Sequence, residues 1–375
     1  MDRSAQTMPA DPRTFTPQGE LIRRMRRIVG DCFQRQPWIY WTDLLLTVTI
    51  GYAAAALYLA PGLSWLQVGA LVVSGLALFR AGTFIHEIAH MGKDTMRWFQ
   101  VGWNLICGVP MLMPSFLYDC HIDHHAVPHY GTRRDGEYLP LGAGPVGRIF
   151  GYLAQILVIP ILAVVRFLVL TPISFLHPRL RHWVLERFSS YVMNPRYRRR
   201  LPPSAPKRWW AVLEVLCFFR VAAMLGVVAL GVYPWTRLLA LYVLACYVIG
   251  LNWVRNLVAH TYRNTGEPMS HLEQLTDSIT LQGVPLLTEL FFPLGLRYHA
   301  LHHLFPGIPY HNMARAHCKL IEQLPPDSPY HQTVRPGFWA ALAELWRHAR
   351  SGGRTGSGSP RPLTSAGSLA AGGVE

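Results

Sequence analysis

The sequence predicts an all-α integral membrane protein: four transmembrane helices in two hairpins, interfacial helices, and a histidine-rich cap on the cytoplasmic side. Three observations predict it. First, 51% of the 375 residues are hydrophobic and only 15% charged, too little polar surface for a soluble protein of this length. Second, four apolar runs are each about long enough to cross roughly 30 Å of hydrocarbon at 1.5 Å per residue. Third, histidines crowd into short windows beside those runs: His86-Glu87-Ile88-Ala89-His90, His121-Ile122-Asp123-His124-His125 and His299-Ala300-Leu301-His302-His303.

The first hairpin is Leu44 to Ala60, a break at Pro61-Gly62, then Trp65 to Ile85, interrupted only by Arg80. The second is Trp210 to Val232, a turn from Tyr233 to Arg237, then Leu238 to Val258. Arg23, Arg24, Arg26 and Arg27 precede the first run, and eight arginines with Lys207 fall between Arg179 and Arg208. By the positive-inside rule these segments face the cytoplasm, and with them every histidine cluster. Ile149 to Leu176 is apolar enough for a fifth span. A single crossing there would separate the second cluster from the basic block, so we expect an interfacial or re-entrant helix pair with Arg166 snorkelling to the headgroups. Trp98 to Leu117, broken by Gly102, Gly108, Pro110 and Pro114, is expected to be amphipathic and interfacial. Residues 1–40 then form a cytoplasmic N-terminal segment, 41–350 the membrane domain, and 351–375 a disordered tail rich in Gly, Ser, Ala and Pro.

The formal net charge of +14 flanks the apolar runs, which suits anionic lipid headgroups, and no nucleic-acid motif is present. Six cysteines without a CxxC pair indicate neither a disulfide framework nor a thiolate metal site. The first 40 residues are polar, so no cleavable signal peptide is expected.

With 17 histidines in 375 residues, HxxHH should arise by chance roughly 0.03 times per chain. It occurs twice. Residues three and four apart share a helix face, so His86 and His90, the trio His121, His124 and His125, and the trio His299, His302 and His303 can each converge. Any one HxxxH is most often a polar surface pair, and His260 alone could be a helix-end histidine favoured by the macrodipole. That reading fails for three clusters beside apolar spans, where unpaired imidazoles are costly. Asn256-Leu-Val-Ala-His260, where the last span ends, adds a ninth imidazole. Nine exceed what one zinc uses, so two ions are implied, making the cap a di-metal one. Imidazole suits iron, zinc, copper or nickel alike, and spacing does not choose.

Over roughly Leu44 to Tyr330, the order HEIAH, HIDHH, NLVAH, HALHHLFP resembles the membrane fatty acid desaturase and hydroxylase superfamily. The resemblance implies two iron ions held by His86, His90, His121, His124, His125, His260, His299, His302 and His303, with Asn256 contacting one iron through water. It implies O2 as co-substrate and desaturation of an acyl chain in membrane lipid, with lipid hydroxylation or ketone formation as the alternative. The three-residue gap in the first box is that of acyl-lipid enzymes, and His299 in place of glutamine argues against a front-end desaturase. Glu87, Asp123 and Asp277 are the nearest carboxylates for fixing imidazole tautomers, each equally readable as surface charge. His129, His271, His311 and His317 match no ligand position and are expected to serve as hydrogen-bonding partners.

No HPGG haem motif is present, and His177-Pro178-Arg179 is not one. Electrons are therefore expected from an external donor such as a ferredoxin or flavoprotein. The basic block Arg196 to Arg208 could dock it, or anchor to lipid headgroups. Two rivals remain. HEIAH also satisfies HExxH, the zinc-protease signature with Glu87 as general base, but this leaves seven clustered histidines unexplained. A metal carrier would need a polar line through the spans, which is lacking.

Overall fold

The structure, a computed structural model, describes residues 17–62 and 64–352. An amphipathic helix α1 (Pro17–Ile28) leads into α2 (Pro37–Tyr58), which starts on a proline whose missing N–H costs nothing there. α2 and α3 (Trp65–Ala89) form an antiparallel hairpin, sealed where Ser74 donates to the Gly51 carbonyl at 3.0 Å. α4 (Arg97–Trp103) runs into a π-helical turn, Asn104–Gly108. This segment, expected to be amphipathic and interfacial, turns Trp98 and Leu105 outward while Phe99, Trp103 and Cys107 pack into the α2–α3 core and Trp103 Nε1 donates to the Ala81 carbonyl at 2.8 Å. α5 (His121–His125) is a single turn.

The stretch expected to be a helix pair is one continuous helix: α6 (Gly147–Val165), a π-helical turn Arg166–Leu170, and α7 (Thr171–Phe175). Pro160 does not break it. Five helices of the described residues, not four, are therefore long and apolar enough to cross a membrane: α2, α3, this helix, and the two that follow α8 (Pro178–Arg187), namely α9 (Lys207–Ala229) and α10 (Thr236–Asn256). Nor does Arg166 snorkel. It is buried, pairing with Glu214 of α9, donating Nη2 to Ser189 Oγ at 2.9 Å and Nε to the Phe188 carbonyl at 2.8 Å. Burial between α9 and the chain after α8 gives the guanidinium a full set of acceptors, so reaching the headgroups gains nothing.

Both ends of this long helix are tied to the histidine-bearing face. At its start Tyr152 donates to the Trp253 carbonyl, 3.1 Å away in the last turn of α10. Beyond its end, Arg199 joins the Ser189 carbonyl at 2.7 Å to that of Phe116 just before α5. α10 also packs on α3, where a Cβ on Gly75 would lie 2.1 Å from the Tyr247 ring, so only glycine permits that approach. The outward side chains of these helices, such as Leu46, Val73, Phe150, Ile161 and Phe219, are exposed and apolar, as lipid contact requires.

The remainder caps one end. α11 (His271–Asp277) opens with a capping box between Ser270 and Glu273. Strand β1 (Thr280–Leu281) pairs in parallel with β2 (Val334–Arg335), bracketing α12 (Pro285–Phe291), α13 (His299–Leu304) and α14 (Tyr310–Gln323). α1 packs here too, Met25 and Val29 meeting Leu301, Leu304 and Leu320. α15 (Phe338–Gly352) ends the described chain, so of the tail expected over 351–375 all but Ser351 and Gly352 lies outside the described residues.

Glu214 also accepts from Arg181, so one buried carboxylate holds two guanidinium groups. Replacing Glu214 by Leu strands both. We expect a loss of roughly 3–5 kcal/mol, with the triple apolar variant Arg166→Met, Arg181→Met, Glu214→Leu recovering most of it. Unfolding of the purified variants in detergent checks this, and a silent Glu214→Leu would refute it.

Candidate metal centre

Four chain segments deliver the nine histidines to one place. α3 ends on His86 and His90, whose four-residue spacing turns both rings to one side. α5 and α13 are one-turn helices, each presenting an HxxHH trio. His260 follows α10 and is locked by an antiparallel bridge to Ser278. Seven of the nine are buried, and His90 and His125 are half-buried.

They sort into two groups, His86, His90, His121, His302 and His124, His260, His299, His303, the ligand atoms of each lying within 4.8 Å of one another. The ninth, His125, sits between them. Its Nε2 is 3.0 Å from that of His121 and 3.2 Å from that of His302, and its ring stacks on His303 at 4.3 Å.

Every close approach is Nε2 to Nε2: His86 to His302 at 2.7 Å, His90 to His302 at 3.1 Å, His260 to His299 at 2.9 Å, His260 to His124 at 3.2 Å and His299 to His303 at 3.2 Å. At His121 and His124 the tautomer is fixed from behind. His121 Nδ1 meets Glu137 Oε1 at 2.6 Å, and His124 Nδ1 meets Asp135 Oδ2 at 2.9 Å. A ring whose Nδ1 carries the proton toward a carboxylate has a bare Nε2 lone pair. Bare lone pairs facing one another repel unless a cation lies between them. Two imidazoles bound at about 2.1 Å hold their nitrogens roughly 3.0–3.4 Å apart, close to the observed separations of 2.7 to 3.2 Å. Burial also pushes His125, His260, His299 and His303 well below the ordinary imidazole range, which leaves them neutral as ligands must be. Burial acts the same way on His124, but the carboxylates of Asp135, Glu137 and Asp277 together outweigh it and hold this ring above the ordinary range. The donor set fits two ions.

Of the three carboxylates expected to orient these rings, only Asp277 does so, through an intermediary. Its Oδ2 accepts from Tyr130 at 2.6 Å, and the Tyr130 hydroxyl lies 2.8 Å from His260 Nδ1. Glu87 is one residue from His86, about 100° around the helix, and takes the Tyr40 hydroxyl instead. Engaged there, it is not free to act as the general base the protease reading needs. Asp123 faces outward to His129 Nδ1 at 3.1 Å and the Tyr197 hydroxyl at 3.0 Å. Asp135, Glu137 and Tyr130 were missed because they stand in an irregular loop, where no spacing ties a side chain to a face. Their only signal was acid residues shortly after the second box.

Asn256 closes α10 one turn before His260, half-buried, with its carbonyl accepting from Tyr262 at 2.6 Å. Among the remaining histidines, His317 Nδ1 meets the Tyr330 hydroxyl at 2.8 Å and His311 accepts from the Gln36 amide at 3.3 Å. With His129 these match the expected bonding role; His271 is exposed. Beside the second box a cavity of about 180 Å³ is lined by Arg133, Arg134, Arg196, Arg198 and Arg200, with Asp123 and Tyr197 on its wall.

Comparisons with known proteins agree with this geometry. The model of the family described as "Fatty acid desaturase" matches residues 63–334. A protein from Caulobacter vibrioides, strain NA1000 / CB15N, named "Ceramide hydroxylase", is 37% identical over 337 residues, which cover 88% of this chain and 94% of that protein. No solved structure matches. The histidine order, the two converging groups and these similarities lead to one conclusion: this chain is an oxidoreductase of the membrane desaturase and hydroxylase superfamily and belongs to the fatty acid desaturase family.

Proposed function

We propose that the protein is an O2-dependent hydroxylase of a ceramide-like N-acyl lipid, with two iron ions held by the nine histidines. The observation that carries this is the pairing of two converging imidazole groups with extensive similarity to a protein named for ceramide hydroxylation. In this reading His86, His90, His121, His125 and His302 serve one iron. His124, His260, His299 and His303 serve the other, joined by Asn256 through water. The irons would supply O2 activation and attack on an unactivated C–H bond. One oxygen atom of O2 enters that bond and the other leaves as water, consuming two electrons and two protons.

The protein's own part is positioning. Asp135 and Glu137 fix the rings of His124 and His121. The Asp277–Tyr130 pair does the same for His260. We further propose that α2, α3, α9 and α10 cross the bilayer while the helix over 147–175 lies along the inner leaflet, as the anchoring of both its ends favours. The metal centre then faces the cytoplasm, where an external electron donor reaches it. The arginine-lined cavity beside Asp123 supports an acidic ferredoxin or flavoprotein in that role.

Desaturation is the second reading, favoured by the family model and by a ligand set able to support either outcome. Mass spectrometry of lipids from a ceramide-producing host expressing the protein separates the two. We expect ceramide heavier by one oxygen; ceramide or acyl chains lighter by two hydrogens would reverse the order. His124→Ala or His302→Ala should abolish product and lower bound iron, and full activity with unchanged iron in either variant defeats the ligand assignment. Asp135→Asn should weaken metal binding about 10- to 100-fold while leaving the helical content intact, measured by chelator competition.

A further inference from the structure

Four arginines are buried among the described residues: Arg166, Arg199, Arg255 and Arg297. Two are held by carboxylates: Arg166 pairs with Glu214, and Arg199 reaches Asp119 and two carbonyls. Arg297, in the cap, has no ion pair among the described residues and donates Nε to the Leu281 carbonyl over the Tyr298 ring. Arg255 also lacks a carboxylate, and it stands beside the metal centre, one residue before Asn256. It is 7% exposed, and its partner among the described residues is the neutral Asn252 Oδ1, at 3.0 Å from Nη2 and 3.3 Å from Nε. It takes part in no ion pair there, and Nη1 has no hydrogen bond there.

Its place makes this costly arrangement informative. Arg255 stands in the last turn of α10, five residues before His260, and its bond to Asn252 turns the guanidinium back toward the preceding turn. The cation thus sits in the turn of α10 that leads to His260, at the edge of the metal centre.

A buried, unpaired cation is several kcal/mol unfavourable unless a ligand completes its shell. In a slot that held only mid-chain methylenes, Arg255 would stay unpaired throughout turnover. We infer that Arg255 is a substrate-binding residue that donates to an oxygen of the lipid's polar linkage, an amide carbonyl or an adjacent hydroxyl. This anchors the reaction to a carbon near that linkage rather than in the middle of the chain. The inference rests on the hydroxylase reading and adds its regiochemistry. The step itself is the one already balanced, with reducing equivalents from the external carrier.

The test uses the full iron-loaded chain in lipid nanodiscs, with N-stearoyl sphinganine as substrate and octadecane as an apolar probe lacking any linkage. Arg255→Leu should raise KM for the ceramide roughly 10- to 100-fold, the loss of one hydrogen bond to a charged group. Iron content and octadecane binding should not change. The hydroxyl should scatter along the chain, and Arg255→Lys should recover part of the affinity and the position. Wild-type KM and product position in Arg255→Leu overturn the inference, as does a fall in kcat and iron with KM unmoved, which marks a structural role. Should Arg255→Leu fail to fold, the wild-type product decides: a hydroxyl many carbons from the nearest polar atom overturns it. Absence of any oxygenated ceramide from wild type instead defeats the hydroxylase reading, while the ceramide-to-octadecane binding ratio still reports on Arg255.

Discussion

Nine imidazole nitrogens are brought to within about 3 Å of their neighbours, and where the far-side nitrogen is held by a carboxylate, at His121 and His124, the inward lone pairs call for positive charge between them. The rest of the structure answers to that constraint. α3 and α10 end at the same level, so His86, His90 and His260 arrive from the bilayer side. α5 and α13 are single turns whose only length is the HxxHH trio. A one-turn helix is unstable by itself, so each is held by what surrounds it. The loop carrying Asp135 and Glu137 grips α5, and α1 with α14 closes over α13 through Leu301, Leu304 and Leu320. Preorganisation of this kind keeps the rings in place when their mutual repulsion would spread them.

The second theme is charge kept inside an apolar body. Asp43 holds Arg80 at 2.7 Å and accepts from Tyr310 at 2.8 Å, tying α2 to α3 and to the cap. Glu214 holds two arginines where the long helix over 147–175 meets α9. These polar knots lie near the histidine end of the helices, while the outward faces are plain hydrocarbon-compatible side chains. The cap is thereby fastened to the membrane helices by directional bonds, and the alignment of ligands from separate helices depends on them. Arg255, buried at the metal centre without a carboxylate, departs from this pattern.

Much of this was legible in the sequence. The apolar runs gave α2, α3, α9 and α10, because uninterrupted hydrophobicity of that length has few other uses. The histidine boxes gave the metal centre, because HxxHH beside a span is too rare to be accidental. What failed to show was three-dimensional. Arg166 reads as an interruption in an apolar run until Glu214, 48 residues later, is known to meet it. Glu87 and Asp123 are adjacent to ligand histidines in sequence, yet helical geometry turns them elsewhere, to Tyr40 and Tyr197. Asp135 and Glu137 act on α5 from a loop whose path no periodicity encodes. The choice between oxygen insertion and desaturation was hidden for a related reason: identical ligands serve both, and the difference lies in how substrate is placed beneath them.

The most direct measurement is X-ray absorption spectroscopy with metal quantification on the purified protein. The account predicts two irons per chain, each in a shell dominated by imidazole nitrogen. A single zinc, or a shell of oxygen or sulfur with the histidines unliganded, would contradict it.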